Sequence, residues 1–235
     1  FFIFLLLFFV YNYMENIKIF IATPCYGGLV YSSYTQSLLY TCMLLSSKNI
    51  KFEVKFINNQ IVTRARNMLC SLFMADDSFT HMLFIDSDIV WQPNNVLMLL
   101  EHNLECVIGV YPNKRYIKNN DNEIGLLPSS VFMKNDEKYE NLLNVKYAAA
   151  GFMLLKKSAL KRIENDIKTF ELPGINDENV QLYNYFDCNV VDNDYLTEDY
   201  YFSYLFNKNG GKIYADKRIQ LKHIGMHEYG ELIKK

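Results

Sequence analysis

Between Phe52 and Ile57 the chain alternates apolar and charged residues, with Glu53 and Lys55 between the hydrophobic positions. A period of two predicts a strand with one polar face. Two other runs, Lys18–Ala22 (KIFIA) and His81–Ile85 (HMLFI), are apolar almost throughout and predict strands covered on both faces. Between the strands the spacing becomes helical. Leu38, Leu39, Cys42, Met43 and Leu45 follow the opening serines Ser32 and Ser33, up to about Ser47. Met68, Leu69, Leu72 and Phe73 mark a second helix over Val62–Met74. Pro93 suits the first turn of a helix over Asn94–Glu101, and Cys106–Val110 reads as a fourth strand. The β-α-β-α-β-α-β order is that of a parallel, doubly wound α/β sheet.

Farther along, the rhythm weakens. Asn113–Tyr147 is rich in Asn, Lys and Glu and predicts hairpins or a loop. Tyr147–Leu155 (YAAAGFMLL) predicts a strand with a glycine inside it, followed by a short helix from Ser158, and Asp166–Asn184 is irregular again. Thr197–Asn209 reads as a helix stopped by Gly210-Gly211, a usual left-handed cap. Lys212–Ala215 and Ile219–His223 close the chain as short strands. No repeat or linker interrupts this order, so one domain is expected over 14–235.

Phe1–Val10 is an unbroken apolar run, but a membrane-spanning helix needs about 20 such residues. The run also lacks a basic flank and a small-residue cleavage site. Met14 is the expected start of the functional domain and residues 1–13 an upstream extension; a shortened signal anchor is the alternative, which leaves membrane association open.

Composition narrows the class. In 235 residues, half are hydrophobic and 15% aromatic, which excludes global disorder. A net charge of −2 with no basic block argues against a nucleic-acid partner. Cys25, Cys42, Cys70, Cys106 and Cys188 are odd in number and contain no CxxC. They point to reduced thiols and a cytoplasmic location rather than a disulfide framework.

Three constellations carry chemistry. Asp86-Ser87-Asp88 leaves an apolar strand, where carboxylates are costly unless something positive meets them, and where open α/β sheets bind ligands. A divalent cation holding a phosphorylated substrate fits. The other DxD, Asp192-Asn193-Asp194, has polar flanks and reads as a solvated turn. Strand alternation would put Asp86 and Asp88 on one side, facing one ion or an ion and a ribose. Val62-Thr63-Arg64-Ala65-Arg66-Asn67 opens a helix with two guanidinium groups. They suit a diphosphate or pair with the aspartates; alternatively one is a surface residue and the other a structural ion pair. Glu198-Asp199 lies in a helical first turn, where the dipole alone favours acids by about 0.3–1 kcal/mol. His223 is equally compatible with packing or ligation, and His227 is the weaker of the two.

In this order, the TP loop, RARN, FIDSDI, GFMLL, EDYYF and the late HIG resemble the GT-A nucleotide-sugar-dependent glycosyltransferases, from Ile17 to Gly225. The resemblance implies a single-domain, Rossmann-like α/β/α sandwich with a mostly parallel central sheet. It implies that Thr23, Pro24, Tyr26, Arg64, Arg66, Asp86, Ser87 and Gly151 bind a UDP- or GDP-sugar. Asp86, Asp88 and His223 would ligate the metal. Asp199, with Glu198 beside it, would act on a glycan or glycoconjugate acceptor. Two carboxylates and an imidazole favour Mn²⁺ over Mg²⁺. A helix N-terminus would lower the pKa of Asp199, leaving it ionised but a weaker base. The rivals are a haloacid-dehalogenase-type phosphohydrolase with Asp86 as nucleophile, a sugar nucleotidyltransferase, and an inactive sugar-binding module.

Overall fold

The apolar runs become the middle of one eight-stranded sheet, with helices packed on both faces. In this computed structural model the described residues are 16–118, 124–133, 140–173 and 179–225. The expected extension at 1–13, Met14 and His227 lie outside them. The first half follows the sequence pattern closely: β1 (Lys18–Cys25), α1 (Ser32–Ser47), β2 (Lys51–Asn58), α2 (Val62–Ala75), β3 (His81–Ile85), a short β4 (Ile89–Val90), α3 (Asn94–Glu101) and β5 (Cys106–Ile108). Two hairpin-like pairs come next, β6 (Pro112–Lys118) with β7 (Ile124–Pro128) and β8 (Val131–Phe132) with β9 (Leu142–Tyr147). After β10 (Phe152–Lys156) and α4 (Lys157–Ile163) there are two more pairs, β11 (Thr169–Pro173) with β12 (Asn179–Tyr183) and β13 (Asn189–Val191) with β14 (Asp194–Leu196). Then α5 (Glu198–Lys208), β15 (Ile213–Asp216) and β16 (Lys222–His223) complete the order.

The sheet order is β2-β1-β3-β10-β5-β15-β9-β8, and only β10 and β9 run against the rest. The fold is thus a Rossmann-like α/β/α sandwich with a mostly parallel direction of strands. Alternation along β3 explains why it is apolar at every position after His81. Met82 and Phe84 join one core with Phe73, Phe186, Phe202 and Phe206, from α2, α5 and the loop before β13. Leu83 and Ile85 join the other, with Tyr34, Trp91, Leu99 and Phe152 under α1 and α3. Burial on both faces removes the polar face that a one-sided strand keeps.

Two sequence expectations change. YAAAGFMLL is not one strand: Tyr147 ends β9, residues 148–151 form a turn, and from Phe152 the chain pairs, antiparallel, between β3 and β5. Side chains satisfy the turn's amides. Ala148 N–H donates to Ser203 Oγ at 3.0 Å, Ala149 N–H to Ser130 Oγ at 3.0 Å and Gly151 N–H to Tyr111 Oη at 3.1 Å. The irregular Asp166–Asn184 stretch contains the β11–β12 hairpin instead, its inner end fixed by buried Asn67. That side chain donates to the Phe186 carbonyl at 2.9 Å and accepts from the Phe186 amide at 2.8 Å. Asp192 and Asn193, at φ 50° and 69°, make the two-residue turn between β13 and β14, exposed as expected. All five cysteines are free. Among the described residues no helix is long and apolar enough to cross a membrane.

Candidate functional site

Parallel strands deliver their C-terminal ends to one edge, and β10, running the other way, starts there. Gly151 therefore sits beside Asp86. Beyond Ile85 the chain turns tightly, with Ile89 N–H donating to the Asp86 carbonyl at 3.0 Å. Three distant segments strap this turn. Asp86 N–H donates to Gly151 O at 3.0 Å, Tyr31 N–H to Ser87 O at 3.2 Å, and Ile224 N–H to Asp88 O at 2.8 Å. The last bond brings the late HIG segment onto the aspartates.

Because residues 86–88 turn, strand alternation ends at Ile85, and the two carboxylates meet different partners. Both Asp86 oxygens accept from Arg66 Nη2, at 2.9 and 3.1 Å. Arg66 Nε donates to Glu198 Oε1 at 3.3 Å, so one guanidinium, only 3% exposed, serves two carboxylates from β3 and α5. The Phe84 and Phe186 rings flank it at 5.3 and 5.9 Å. Burial and the neighbouring Asp88 push the Asp86 pKa up, against the pull of Arg66. Arg66 is therefore a buried counter-charge, whereas Arg64 is exposed and forms no ion pair among the described residues.

Gly151 is required by close approach rather than by backbone twist. A Cβ there would lie 2.5 Å from Tyr111 Oη and 2.8 Å from Asp86 Oδ2. Gly151→Ala is expected to push both side chains aside and cost about 1–3 kcal/mol, the scale of an overpacked core. Urea unfolding checks it; an unchanged midpoint would show that the turn yields freely.

Asp88 faces the other way. Its Oδ2 lies 2.5 Å from Lys114 Nζ and 3.5 Å from His223 Nε2. His223 Nδ1 is 2.9 Å from the Pro112 carbonyl, which can only accept. The Nδ1 proton is thereby assigned, and Nε2 is the ring atom that faces Asp88. Tyr111 meets the imidazole edge to face at 5.0 Å. Burial alone would raise the Asp88 pKa, but His223 and Lys114 hold it below the usual carboxylate value. A carboxylate and a neutral imidazole are a fitting pair of donors for a divalent cation that takes its other ligands from substrate, and imidazole favours Mn²⁺ over Mg²⁺. Among the described residues no group of three or more His, Cys, Asp and Glu is placed to hold a metal, and Asp86, committed to Arg66, does not join the pair.

Two clefts open around the turn. One, of about 160 Å³, is lined by Pro24, Cys25, Tyr26, Asn59, Gln60, Val62, Asp86, Ser87 and Asp88. The second, of about 360 Å³, is lined by Tyr111, Asn113, Ser129, Ala149, Tyr195, Thr197, Asp199, Tyr200 and His223. Asp88 belongs to the first wall and His223 to the second, so their pair marks the junction. Pro24 and Tyr26 line the first cleft. The Thr23 side chain does not; it is fully buried against Tyr34 Oη at 2.5 Å and fixes the loop from beneath. Asn59, Gln60, Tyr111, Lys114, Tyr195 and Tyr200 escaped sequence reasoning. Lys114 lies in a polar stretch without periodicity, and Asn59 and Gln60 follow the end of β2 with no motif around them.

Asp199 is half-buried at the start of α5. Its Oδ1 accepts from Thr197 Oγ1 at 2.6 Å and its own helix's Tyr200 N–H at 2.9 Å, while Oδ2 accepts no hydrogen bond among the described residues. The expected drop in its pKa is reversed. Burial and the adjacent Glu198 carboxylate raise it, outweighing the hydrogen bonds and Arg66. A helix terminus acts through partial charges, and here desolvation is the larger effect.

No family model matches the chain, and no curated protein does. Solved structures give loose likenesses. A197 from STIV is 18% identical, with 89% of this chain and 86% of that one covered and a TM-score of 0.48. GalNAc-T7, solved with UDP, GalNAc and Mn²⁺, is 9% identical over 89% of this chain and 44% of its own, also at 0.48. Drosophila β-1,4-galactosyltransferase 7, solved with manganese, UDP-Gal and xylobiose, is 12% identical over 89% and 71%, again at 0.48. The functional reading rests instead on the side chains just described.

Proposed function

We propose that this protein is a GT-A-type glycosyltransferase that moves a sugar from a UDP- or GDP-sugar to a hydroxyl of a glycan or glycoconjugate. The observation that carries the reading is the meeting of Asp88, from the end of β3, with His223, from β16, at 3.5 Å between two clefts. Asp88 and His223 would hold a divalent cation, Mn²⁺ in preference to Mg²⁺, which when bound supplies positive charge to the leaving diphosphate. The first cleft takes the nucleotide, between Pro24 and Tyr26 on one wall and Asn59 and Gln60 on the other. Asp86, held by Arg66 and Gly151, keeps the turn rigid. The second cleft takes the acceptor, against Tyr111, Tyr195 and Tyr200. Asp199 Oδ2 receives the acceptor hydroxyl's proton as the new glycosidic bond forms in an inverting transfer.

Asp86 does not suit the nucleophile of a phosphohydrolase, since both its oxygens are occupied by a buried guanidinium. The test is nucleoside diphosphate release by the full chain from UDP-, GDP- and dTDP-sugars, with and without Mn²⁺. Mn²⁺-dependent release of UDP or GDP is expected. Asp88→Ala should lose at least about tenfold in Mn²⁺-dependent donor affinity, with Asp192→Ala as an unaffected control. Equal donor affinity in Asp88→Ala and the parent would refute the metal assignment. Phosphate release from simple esters would favour a phosphohydrolase.

A further inference from the structure

We infer that Lys114 is the protein's own counter-charge for Asp88, and that it moves onto the substrate's diphosphate when a divalent cation takes its place. The inference rests on the proposed transferase reading and extends it to a residue that no motif includes. Lys114 Nζ and His223 Nε2 approach the same oxygen, Asp88 Oδ2. A cation bound to that oxygen and to the imidazole would meet an ammonium at contact distance, and like charges so close repel strongly outside bulk water. The two cannot share the seat.

Lys114 is built to yield it. Arg66, the other cation at this turn, is 3% exposed and grips two carboxylates, whereas the Lys114 side chain is 40% exposed and makes one ion pair among the described residues. The ammonium end is open to water, which can replace the contact it gives up, and an ammonium on a four-carbon stem can swing where a fixed guanidinium fork cannot. The stem runs over Gly225, where a Cβ would lie 2.9 Å from Lys114 Cδ, so the glycine of the HIG segment leaves its path clear. Asn113, the preceding residue, lines the second cleft, and Asp88 lines the first. An ammonium released from Asp88 therefore stays at the junction, where a diphosphate linking nucleotide to sugar would lie. Lysine binds phosphate as a mobile point charge.

The exchange has a thermodynamic signature. In the donor-free protein Mn²⁺ must displace Lys114, so it binds weakly alone and more tightly with a nucleoside diphosphate, which gives the ammonium a new partner. Calorimetric titrations of the full chain with MnCl₂ alone, and with UDP or GDP at saturating Mn²⁺, would compare the parent with Lys114→Met. The variant should bind Mn²⁺ alone about tenfold more tightly and the diphosphate about tenfold more weakly. An unchanged thermal midpoint would confirm that it folds. If both affinities fall, Lys114 merely shapes the site; if neither moves, it is an ordinary surface pair; if one moves alone, exchange does not occur. Each of these overturns the inference. A parent that binds Mn²⁺ no better than Asp88→Ala, with or without nucleotide, would show that the transferase reading itself has failed.

Discussion

Asp199→Asn is expected to lower turnover by about 10²–10⁴-fold, the usual contribution of a positioned general base, while leaving donor affinity unchanged. Oδ1 is occupied by Thr197 and the Tyr200 amide, and the amide oxygen of asparagine can keep both bonds, so the helix start should survive. What disappears is the proton acceptor at Oδ2, on the wall of the cleft assigned to the acceptor. The pH profile adds a sign. A carboxylate base works ionised, and burial with Glu198 lifts this one above its ordinary value of 3.8. Activity should fall on acidification through that raised pKa, so the acid limb lies above the position of a solvated aspartate. The residual activity of the asparagine variant should lack that limb. Turnover at saturating donor across pH, with donor affinity measured separately, checks both. Parallel loss of donor affinity would place Asp199 on the donor, and retained turnover would make it an acceptor-orienting group.

The largest stability effect is expected from Arg66→Met, at about 3–5 kcal/mol, the cost of removing one member of a buried ionic group. Asp86 and Glu198 would be left facing each other with their shared guanidinium gone, and Asp86 already has a pKa raised by burial. Methionine fills much of the vacated volume between Phe84 and Phe186, so most of the loss is electrostatic rather than a cavity. In the variant, the stranded carboxylates would bind protons more readily folded than unfolded. The deficit should therefore shrink as pH falls. Denaturant unfolding at neutral and acidic pH gives the comparison, and a deficit independent of pH would assign the loss to packing. Arg66→Lys should recover only part, because one ammonium cannot reproduce a fork reaching carboxylates on two elements.

The strands of the first half were readable because their chemistry is local. MLFI is apolar at every position because helices cover both faces of β3, and the spacing of Leu69 and Phe73 marks the buried side of α2 whatever lies opposite. The same locality misled at YAAAGFMLL. Alanines and a glycine fit a strand, but Ser203, Ser130 and Tyr111 were close enough in space to satisfy a turn's amides instead. At the site, the ordered motifs marked Asp88, Asp199 and His223 as candidates without showing how they would meet. Lys114 carried no signal, since a lysine in a polar stretch becomes notable only through its partner.

The order of residues alone set the alternation of strands and helices, the apolar approach to Asp86-Ser87-Asp88 and the solvated turn at Asp192-Asn193, because each depends on neighbours within a few positions. Folding decided what each charge faces. Asp86 and Asp88 sit two residues apart yet belong to separate groups, one around Arg66 and one around His223 and Lys114. Burial turned the Asp199 pKa upward against its helix position. Electrostatic partnership and desolvation depend on distance through space, and only the packed chain supplies those distances.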